Sequence, residues 1–497
     1  MKIKDIKESL CGMFKIEASV GDDLQLHNLV YDSRKIGLGD LFVAISGNKL
    51  DGHSFVPAAI EKGAAAVVVE HYLPNLPPDF PQLITKDSRI ALSQLSALWY
   101  NYPDRKMRLV GVTGTNGKTT TTWLIKYLWQ TVGGQKSGLV GTIRNYAGDK
   151  PLDSTHTTPE SLELYQLFAQ MLDEGCQNAV MEVSSHALKQ GRVAACAFDG
   201  VVFTNLTQDH LDYHITLDDY RSSKGKLFTA PVLQQNNNSY AVINIDDQAG
   251  RLYAAGCPAA QVLTYGENAE AALRFSDYHH IDGGGVYTLN YNGNQYTVKI
   301  PLLGRFNVYN TLAALGVCLA EGLPLDDCLQ ALKTAPQVAG RMELVDCGQD
   351  FIVAVDYAHT PDGLLNVLAA AREMNPRHLI VVFGCGGDRD NGKRPIMGRI
   401  AGENSDFTVI TSDNPRTEDP NKIIKQIQAG IDTTQGRYLI EPDRQSAIFA
   451  ALKMAQNGDI VVIAGKGHED YQLVMNKVLH FDDCEVVREL LAQILAK

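Results

Sequence analysis

Residues 107–122 read "MRLVGVTGTNGKTTTT", which is an apolar run followed by a glycine-rich loop and a row of threonines. The apolar run predicts a β-strand, and residues 118–132 have the spacing of a helix. A strand that leads through a glycine-rich loop into a helix is typical of a nucleotide-phosphate loop. The stretch therefore predicts an α/β domain with an anion-binding loop at the end of one strand.

The chemistry of this loop depends on a few residues. Gly114 and Gly117 let the backbone turn its N–H groups toward an anion, and the helix N-terminus adds partial positive charge. Lys118 would reach the outer phosphates, and Thr119 would offer its hydroxyl to Mg²⁺. The spacing departs by one position from GxxxxGK[ST], since Val112 stands where the first glycine would fall. A glycine-rich turn before an ordinary helix is the alternative, but the combination of strand, loop and Lys-Thr favours a nucleotide site.

On both sides of the loop, apolar runs alternate with helical patterns. Nearly continuous runs such as "NAVMEVSS" (178–185) and "FDGVVFTN" (198–205) predict strands of a sheet that is covered on both faces. A second series, from "DFIVAVDYAH" (350–359) to "DIVVIAGKG" (459–467), predicts a doubly wound sheet that binds ligands at its strand ends. The N-terminal section has the pattern of a smaller mixed domain. We therefore predict three domains, at residues 1–105, 106–334 and 335–497.

Composition narrows the class of protein. The 497 residues carry a net charge of −12, which argues against nonspecific nucleic-acid binding but leaves room for a local anion site. The nine cysteines contain no CxxC pair, so we expect reduced thiols in a cytoplasmic protein rather than zinc or disulfides. The N-terminus is charged, and no apolar run approaches the roughly 18 residues of a membrane span. We expect neither a signal peptide nor a transmembrane segment.

Polar residues after later strands of the middle section are candidate metal ligands. Glu182 ends one predicted strand, where a second Mg²⁺ ligand is expected, with a solvated carboxylate as the alternative. His210 and His214 crowd, with several carboxylates, into the loop "TNLTQDHLDYH" (204–214). Lys224, taken alone, has the pattern of an exposed helix lysine.

Two loops of the C-terminal section carry further polar groups. In "VDYAHTPDG" (355–363), Asp356 could accept from ribose hydroxyls and His359 could approach a γ-phosphate. In "TSDNPRTEDP" (411–420), an acid, an amide, a proline and an arginine follow an apolar run. Such a loop is a common binding site, although an Asp-Asn-Pro turn with a solvated arginine is the alternative.

Nine blocks span most of the sequence in one order: "GTNGKTT", "MEVSSHAL", "TNLTQDHLDYH", "LLGRFNVYN", "GRME", "VDYAHTPDG", "GCGGDRDNGKRPIMG", "DNPRTEDP" and "AGKGHEDYQ". "YDSR" (31–34) and "GDLFVAISG" (39–47) extend the series to the N-terminal section. Together these blocks resemble the Mur ligases. The phosphate loop of that family shares the departure at Val112.

The resemblance implies a fold and an activity. It implies a UDP-sugar domain, a central ATPase with a parallel sheet and a phosphate loop, and a Rossmann-like C-terminal domain. It also implies an ATP- and Mg²⁺-dependent amide ligase of peptidoglycan precursor synthesis. That ligase would add meso-2,6-diaminopimelate to UDP-N-acetylmuramoyl-L-alanyl-D-glutamate (UDP-MurNAc-L-Ala-D-Glu) through an acyl phosphate. We expect a monomer that binds no nucleic acid.

Three alternatives stay open. The nearest is a ligase of the same pathway that adds L-lysine. Folylpolyglutamate synthase shares the phosphate loop but would not explain "YDSR" or "DNPR". From another class, the chain could be a nucleotide-dependent switch that hydrolyses ATP without ligation.

The resemblance implies roles for residues around the nucleotide. Catalytic roles fall on Lys118, Glu182, His210, Lys224 and His359. Thr119 and Glu182 would hold one Mg²⁺, and His210 and a carbamylated Lys224 the other, because a carbamate turns the lysine into an anion. ATP would be bound by Gly114, Thr115, Asn116, Gly117, Lys118, Thr119, Thr120, Asn310, Arg341 and Asp356.

A further set of residues is implied for the UDP-sugar dipeptide. These positions come from the N-terminal and middle sections. His156 stands where the family usually has an asparagine before paired threonines. The set is Tyr31, Ser33, Asn48, Lys49, Leu50, His156, Thr157, Thr158, Ser184, Gln190 and Arg192.

The last set is implied for diaminopimelate, whose distant end keeps a carboxylate and an ammonium. The Arg416 fork suits the carboxylate, Asp413 and Asn414 can accept from the ammonium, and Pro415 fixes φ and so orients Arg416. Arg389 could bind the other carboxylate. L-lysine lacks the distant carboxylate, so an unpaired arginine would disfavour it. The set is Arg389, Asp413, Asn414, Pro415, Arg416, Gly465 and Glu469.

Overall fold

A computed structural model of the protein describes residues 1–17, 22–47, 50–154, 156–207, 213–229, 233, 238–475 and 477–496. In that part of the chain, the strands form sheets of five, eleven and six strands and a separate two-stranded hairpin. The sheets follow one another along the sequence and contain mainly parallel neighbours. The predicted α/β class is confirmed.

The N-terminal sheet has the strand order β1-β5-β4-β3-β2, with β1 antiparallel at one edge. Strands β3 and β4 are parallel neighbours in the middle of this sheet, as the pattern of a small mixed domain predicts. Asp87 is the N-cap of helix α3, and its carboxylate accepts from the backbone N–H groups of the first turn. The elements are α1 (Ile3–Ser9), β1 (Lys15–Glu17), β2 (Leu29–Val30), β3 (Leu41–Val43), α2 (Val56–Glu61), β4 (Ala66–Val69), β5 (Gln82–Ile84) and α3 (Ser88–Trp99).

The central sheet has the order β16-β15-β14-β13-β12-β11-β6-β10-β7-β8-β9. Its strands are β6 (Arg108–Thr113), β7 (Ser137–Val140), β8 (Asn145–Ala147), β9 (Lys150–Leu152), β10 (Asn178–Glu182), β11 (Gly200–Phe203), β12 (Tyr240–Asn244), β13 (Gln261–Gly266), β14 (Leu273–Ile281), β15 (Gly284–Tyr291) and β16 (Asn294–Ile300). Its helices are α4 (Lys118–Thr131), α5 (Ser161–Asp173), α6 (Ser185–Lys189), α7 (Leu217–Gly225), α8 (Gln248–Gly256), α9 (Arg305–Ala320) and α10 (Leu325–Leu332).

Strand β6 lies between β10 and β11, and all three run parallel. One apolar cluster joins Val110 and Val112 of β6 to α4 and α9, and a second joins Leu109 to α5 on the opposite face. Burial on both faces explains the continuous apolar runs of these strands. Because the carboxyl ends of parallel strands meet at one edge, the loops after β6, β10 and β11 converge there.

The C-terminal sheet has the order β17-β18-β22-β19-β20-β21, and it is parallel apart from β17. This doubly wound arrangement confirms the predicted Rossmann-like class. The strands are β17 (Glu343–Leu344), β18 (Ile352–Asp356), β19 (Leu379–Phe383), β20 (Phe407–Ile410), β21 (Tyr438–Ile440), β22 (Ile460–Ala464), β23 (Tyr471–Val474) and β24 (Lys477–His480). The helices are α11 (Pro361–Glu373), α12 (Lys393–Asn404), α13 (Pro420–Ile431), α14 (Arg444–Met454) and α15 (Asp483–Leu495).

Within the described ranges, no helix combines the length and the apolar character that crossing a bilayer requires.

Candidate active site

The phosphate loop connects β6 to α4 through two glycines with positive φ. Gly114 has φ 152° and Gly117 has φ 85°, values that L side chains rarely adopt. A Cβ at Gly114 would lie 1.8 Å from Oγ1 of Thr204, and one at Gly117 would lie 2.3 Å from Oδ1 of Asn310. Both positions therefore require glycine for conformation and for space.

Lys118 and Arg341 both contact this loop. Nζ of Lys118 donates to the carbonyl oxygens of Gly114 at 3.0 Å and of Thr115 at 2.9 Å. Nη2 of Arg341 donates to Oγ1 of Thr119 at 3.0 Å. The resemblance implies that Arg341 binds ATP, and its guanidinium lies at the phosphate end of the nucleotide site, beside Thr119.

The side chains of Thr119 and Glu182 meet as the sequence predicts. Oγ1 of Thr119 donates to Oε2 of Glu182 at 3.1 Å, and Glu182 is only 1% exposed. The backbone N–H and the hydroxyl of Thr142 donate to the two oxygens of the same carboxylate, at 2.8 and 3.0 Å. A buried carboxylate with an adjacent hydroxyl is a set of hard oxygen donors that fits Mg²⁺.

Lys224 is buried, so the prediction of an exposed helix lysine, which rests on its local sequence alone, is wrong. Only 1% of the residue is accessible, and its Nζ donates to the carbonyl oxygen of Gly114 at 2.6 Å. The same amine lies 4.6 Å from the centre of the Tyr220 ring. Helix α7 therefore delivers a buried lysine to the phosphate loop, because its inward face packs against the loop rather than facing solvent.

The histidine-rich loop is described only in part. His210 lies outside the described residues, together with the neighbouring carboxylates of residues 208–212. His214 is fully buried, and its ring nitrogens contact Oγ of Ser185 at 3.0 Å and a carboxylate oxygen of Asp219 at 3.3 Å. Burial lowers the pKa of His214, with the Asp219 contact opposing that shift. His214 thus joins α6 to α7.

A cavity of about 690 Å³ opens between the central and C-terminal sheets. Its walls include nine of the ten predicted ATP residues, Gly114 being the exception, and also Glu182 and His359. Asp356 accepts from the backbone N–H groups of Met342 at 2.7 Å and Ala358 at 2.8 Å, and burial raises its pKa to about 6. The volume is within the range of small-molecule sites.

A hydrogen-bonded network connects part of the predicted sugar-dipeptide set to the metal-ligand candidates. Oγ1 of Thr158 donates to the backbone oxygen of Glu182 at 2.8 Å and accepts from the N–H of Ser184 at 3.0 Å. Arg192 donates to the carbonyl oxygen of Thr158 at 2.7 Å and, through Nε, to Gln190 at 3.0 Å. The hydroxyl of Thr157 lies 3.0 Å from that of Thr142. The structure therefore brings Thr157, Thr158, Ser184, Gln190 and Arg192 together beside Glu182.

Four further members of that set lie within the described residues. The hydroxyl of Tyr31 donates to Oε1 of Glu163 at 2.8 Å, which joins the N-terminal section to α5. The carbonyl oxygen of Ser33 accepts from Nζ of Lys62 at 2.8 Å. Leu50 is 68% exposed and His156 is also exposed. Asn48 and Lys49 lie outside the described residues.

The predicted amino-acid residues converge at the ends of β20 and β22. Nδ2 of Asn414 donates to Oε2 of Glu469 at 2.7 Å, while its Oδ1 accepts from the N–H of Leu473 at 2.8 Å. Asn414 therefore contacts Glu469 directly, and its predicted contact with the ligand ammonium stays a prediction. Gly465 lies against the Asp413 carboxylate, since a Cβ there would be 2.6 Å from Oδ2.

Neighbouring groups shift the pKa of the Glu469 carboxyl in opposite directions. Burial and the neighbouring Asp413 carboxylate raise its pKa, while the amine of Lys466 and the amide of Asn414 act in the other direction. Nζ of Lys466 lies 3.3 Å from the Glu469 carboxylate. A cationic ligand between Asp413 and Glu469 would relieve their mutual repulsion.

The backbone of Arg416 has a conformation that is uncommon for a residue with a side chain. Its φ of 52° lies in the left-handed region, and its N–H and carbonyl oxygen contact Leu473 and Met475 at 2.9 and 2.6 Å. Nη1 donates to the carbonyl oxygen of Gly387 at 2.8 Å. A Cβ at Gly387 would lie 1.9 Å from the carbonyl oxygen of Pro415, so the two loops approach too closely for any side chain there. Arg389, on the same loop as Gly387, is exposed.

A buried ion pair that the sequence analysis missed supports this pocket. Arg444 of α14 and Asp483 of α15 are 0% exposed at their side chains and form two hydrogen bonds of 2.8 and 2.7 Å. Arg444 also donates to the carbonyl oxygens of Ser412 and Ala464, at 3.2 and 3.1 Å. Those residues immediately precede Asp413 and Gly465. The pair thus orients the start of the two loops that carry Asp413 and Gly465.

Comparison with known proteins identifies the family. The Mur ligase family catalytic domain model matches residues 25–99, the Mur ligase middle domain model matches 112–318, and the Mur ligase glutamate ligase domain model matches 340–467. The chain belongs to the Mur ligase family. The expectation from the sequence blocks is confirmed.

Individual relatives of this Mur ligase match over nearly their whole length. A UDP-N-acetylmuramoyl-L-alanyl-D-glutamate–2,6-diaminopimelate ligase from Syntrophomonas wolfei is 47% identical, over 94% of this chain and 95% of the relative. A ligase of the same name from Geobacillus kaustophilus is 45% identical, over 93% of this chain and 94% of the relative. A solved structure with that name has a TM-score of 0.69 and 35% identity, and the match covers 96% of this chain and 97% of the other.

Proposed function

We propose that this Mur ligase adds meso-2,6-diaminopimelate to UDP-MurNAc-L-Ala-D-Glu at the expense of ATP, in peptidoglycan precursor synthesis. Relatives of 42–47% identity that carry the name of this ligase support the activity. The observation that carries the choice of amino acid is the pocket in which Nη1 of Arg416 lies 3.5 Å from the backbone oxygen of Asn414, whose side chain contacts Glu469 and whose sequence neighbour is Asp413. Such a pocket complements a ligand end that bears both a carboxylate and an ammonium.

The three sections would divide the substrates among them. Residues 1–105 would bind the UDP-sugar end, residues 106–334 would bind ATP, and residues 335–497 would bind the incoming amino acid. This division agrees with the cavity between the central and C-terminal sheets, where the nucleotide would contact both. The phosphate donor and the UDP-linked substrate are cytoplasmic metabolites, so we place the activity in the cytoplasm.

The first step would form an acyl phosphate. The γ-carboxylate of the D-glutamyl residue attacks the γ-phosphorus of ATP, the bond to the bridging oxygen breaks, and ADP leaves. Lys118 and Arg341 would offset the repulsion between these anions, and the phosphate loop would hold the groups in line. Thr119 and Glu182 would hold one Mg²⁺, and His210 and a carbamylated Lys224 a second. Each ion would supply further charge neutralisation.

The second step would form the amide. The neutral amine of diaminopimelate attacks the acyl carbon and gives a tetrahedral intermediate. The nitrogen then loses a proton to solvent, the bond between the acyl carbon and the phosphate oxygen breaks, and inorganic phosphate leaves. The pocket around Asp413 and Glu469 would hold the other end of the diacid, so that only one amine reaches the acyl carbon. The chain's contribution to this step is therefore orientation.

Phosphate release tests the ligase proposal against the switch alternative. We expect release from ATP only when both UDP-MurNAc-L-Ala-D-Glu and an amino acid are present, with one amide formed for each phosphate. Comparable release without either substrate would favour a nucleotide-dependent switch. Release with lysine as readily as with diaminopimelate would favour the L-lysine-adding alternative.

The raised pKa of Glu469 predicts a pH dependence. The ionised carboxylate attracts an ammonium and the protonated acid does not, so the KM for diaminopimelate should rise as the pH falls through the pKa of Glu469. Because that pKa is raised, the rise should begin at a higher pH than an ordinary glutamate would cause. Glu469→Gln should raise the KM at pH values above the pKa of Glu469 and should flatten its dependence on pH. If the KM of the variant rose at low pH as it does in the wild type, Glu469 would not be the group whose titration causes the rise.

A further inference from the structure

One carboxylate of the C-terminal section reaches the phosphate loop. Asp362, in the first turn of α11, accepts at Oδ2 from Nδ2 of Asn116 at 2.8 Å and from Oγ1 of Thr207 at 2.7 Å. Asn366 of the same helix adds a longer contact of 3.2 Å. Asp362 is thus bonded to two segments that lie 246 and 155 positions away in the sequence.

The two distant donors belong to one hydrogen-bonded unit. The N–H of Asn116 donates to Oδ1 of Asn205 at 2.9 Å, and its carbonyl oxygen accepts from Oγ1 of Thr204 at 2.6 Å. The N–H of Thr207 donates to Oγ1 of Thr115 at 3.0 Å. The phosphate loop and the end of β11 are therefore held together, and Asp362 joins both to the C-terminal section through one oxygen.

This contact lies where the central and C-terminal sections meet at the nucleotide cavity. Thr360, Gly363 and Asn366 of the α11 region line one wall, and the phosphate loop lines the other. A nucleotide that contacts both walls binds well only when the walls are held together, so its apparent affinity scales with the population of that arrangement. Hydrogen bonds to a charged group are strong enough to change such a population.

We propose that Asp362 is a positioning residue of the ligation reaction, which holds the phosphate loop against the N-terminus of α11. The contact brings the site of phosphoryl transfer into register with the pocket for the incoming amino acid. Asp362 acts through Asn116 and Thr207 rather than by touching substrate. Its role in ligation, though not its role in nucleotide binding, rests on the function proposed above.

A double-mutant cycle tests the contact. Asp362→Ala, Thr207→Val and the double variant would be titrated with the non-hydrolysable analogue AMP-PNP and Mg²⁺ in a calorimeter. We expect Asp362→Ala to weaken binding roughly 10- to 100-fold and Thr207→Val to weaken it less, since Asn116 still donates. In the double variant the loss of the Thr207 hydroxyl should have little further effect, because its acceptor has already gone and only a 3.5 Å contact from Asn116 is left to lose.

A matched control separates this contact from a general effect at a helix terminus. Asp326 occupies the second position of α10, as Asp362 does in α11, and it is exposed. Asp326→Ala should remove a similar helix-dipole interaction and leave AMP-PNP affinity within about twofold of the wild type. Asp362→Asn keeps the size of the side chain and one acceptor oxygen, so it should bind AMP-PNP with intermediate affinity. This variant keeps the test informative if the alanine variant does not fold.

The outcomes separate this inference from the proposed function. Two results would overturn the role of Asp362. One is AMP-PNP affinity equal to the wild type in both Asp362→Ala and Asp362→Asn. The other is a double variant in which the effects of Asp362→Ala and Thr207→Val simply multiply. Coupling between the two substitutions would support that role, even if the wild type formed no amide and the ligase proposal failed. Ligation by the wild type without coupling would leave the ligase proposal intact and remove only the Asp362 contact.

Discussion

Lys224→Ala is expected to lower kcat for ligation by roughly 10²- to 10³-fold, the range seen when a group that stabilises transition-state charge is removed. The physical reason is the burial of this lysine at the phosphate loop, where its Nζ lies 2.6 Å from the carbonyl oxygen of Gly114. A carbamate at that amine would carry a negative charge and oxygen donors toward the second metal position. The alanine variant would lose both. The measurement is the steady-state rate of phosphate release with saturating substrates.

Chemical rescue distinguishes a lost carbamate from a lost fold. A short carboxylic acid such as acetate or propionate should restore part of the activity of Lys224→Ala, because it can supply the missing carboxylate in the space left behind. Lys226→Ala, a control at an exposed position just after α7, should retain wild-type activity and should not respond to the acid. Full activity of Lys224→Ala, or the absence of a lysine carbamate signal in the ¹³C NMR spectrum of the active protein in ¹³C-bicarbonate, would contradict the carbamate proposal.

Arg416→Ala is expected to raise the KM for diaminopimelate roughly 10- to 150-fold, which corresponds to the loss of about 1.5–3 kcal/mol for a hydrogen bond to a charged group. The distant carboxylate of the ligand would lose its guanidinium partner, while the phosphate loop is untouched, so the KM for ATP should stay within about twofold. The backbone strain at a positive φ is common to arginine and alanine, so it does not contribute to the difference. Initial rates at varied diaminopimelate measure the effect.

Two variants sharpen this test. Arg416→Lys keeps the charge but not the planar fork, so it should recover only part of the affinity. Arg399→Ala, which removes an exposed arginine from α12, should behave as the wild type. If Arg416→Ala left the KM for diaminopimelate unchanged, the guanidinium would not be the carboxylate partner.

The strands around the phosphate loop could be predicted because both of their faces are buried. Continuous burial requires an apolar residue at nearly every position, as in β10, β11 and β12, and that pattern is local to the sequence. Strand β14 was not predicted, because exposed and partly buried residues break its apolar pattern. The turn between β15 and β16 did carry a usable signal: Asn292-Gly293 has positive φ at both residues, as a type I′ hairpin requires.

The site could be predicted only where its residues are close in sequence or belong to a motif. Gly114, Gly117, Lys118 and Thr119 form one motif, and their arrangement followed from it. Asp362 had no such signal, because its partners lie in other sections and a helix N-terminus accounts for an aspartate equally well. Arg444 and Asp483 likewise look like surface charges of two helices until the fold buries them together. Long-range pairs of this kind become visible only in the folded chain.

The pocket around Arg416 is proposed to select a diamino diacid for an ATP-driven amide ligation. The most direct test supplies purified protein, ATP, Mg²⁺ and UDP-MurNAc-L-Ala-D-Glu with equal concentrations of meso-diaminopimelate and L-lysine, and determines the two products by mass. We expect the diaminopimelate product to exceed the lysine product roughly 10- to 150-fold, the selectivity of one charged hydrogen-bonded pair. Equal amounts of the two products would contradict the claim.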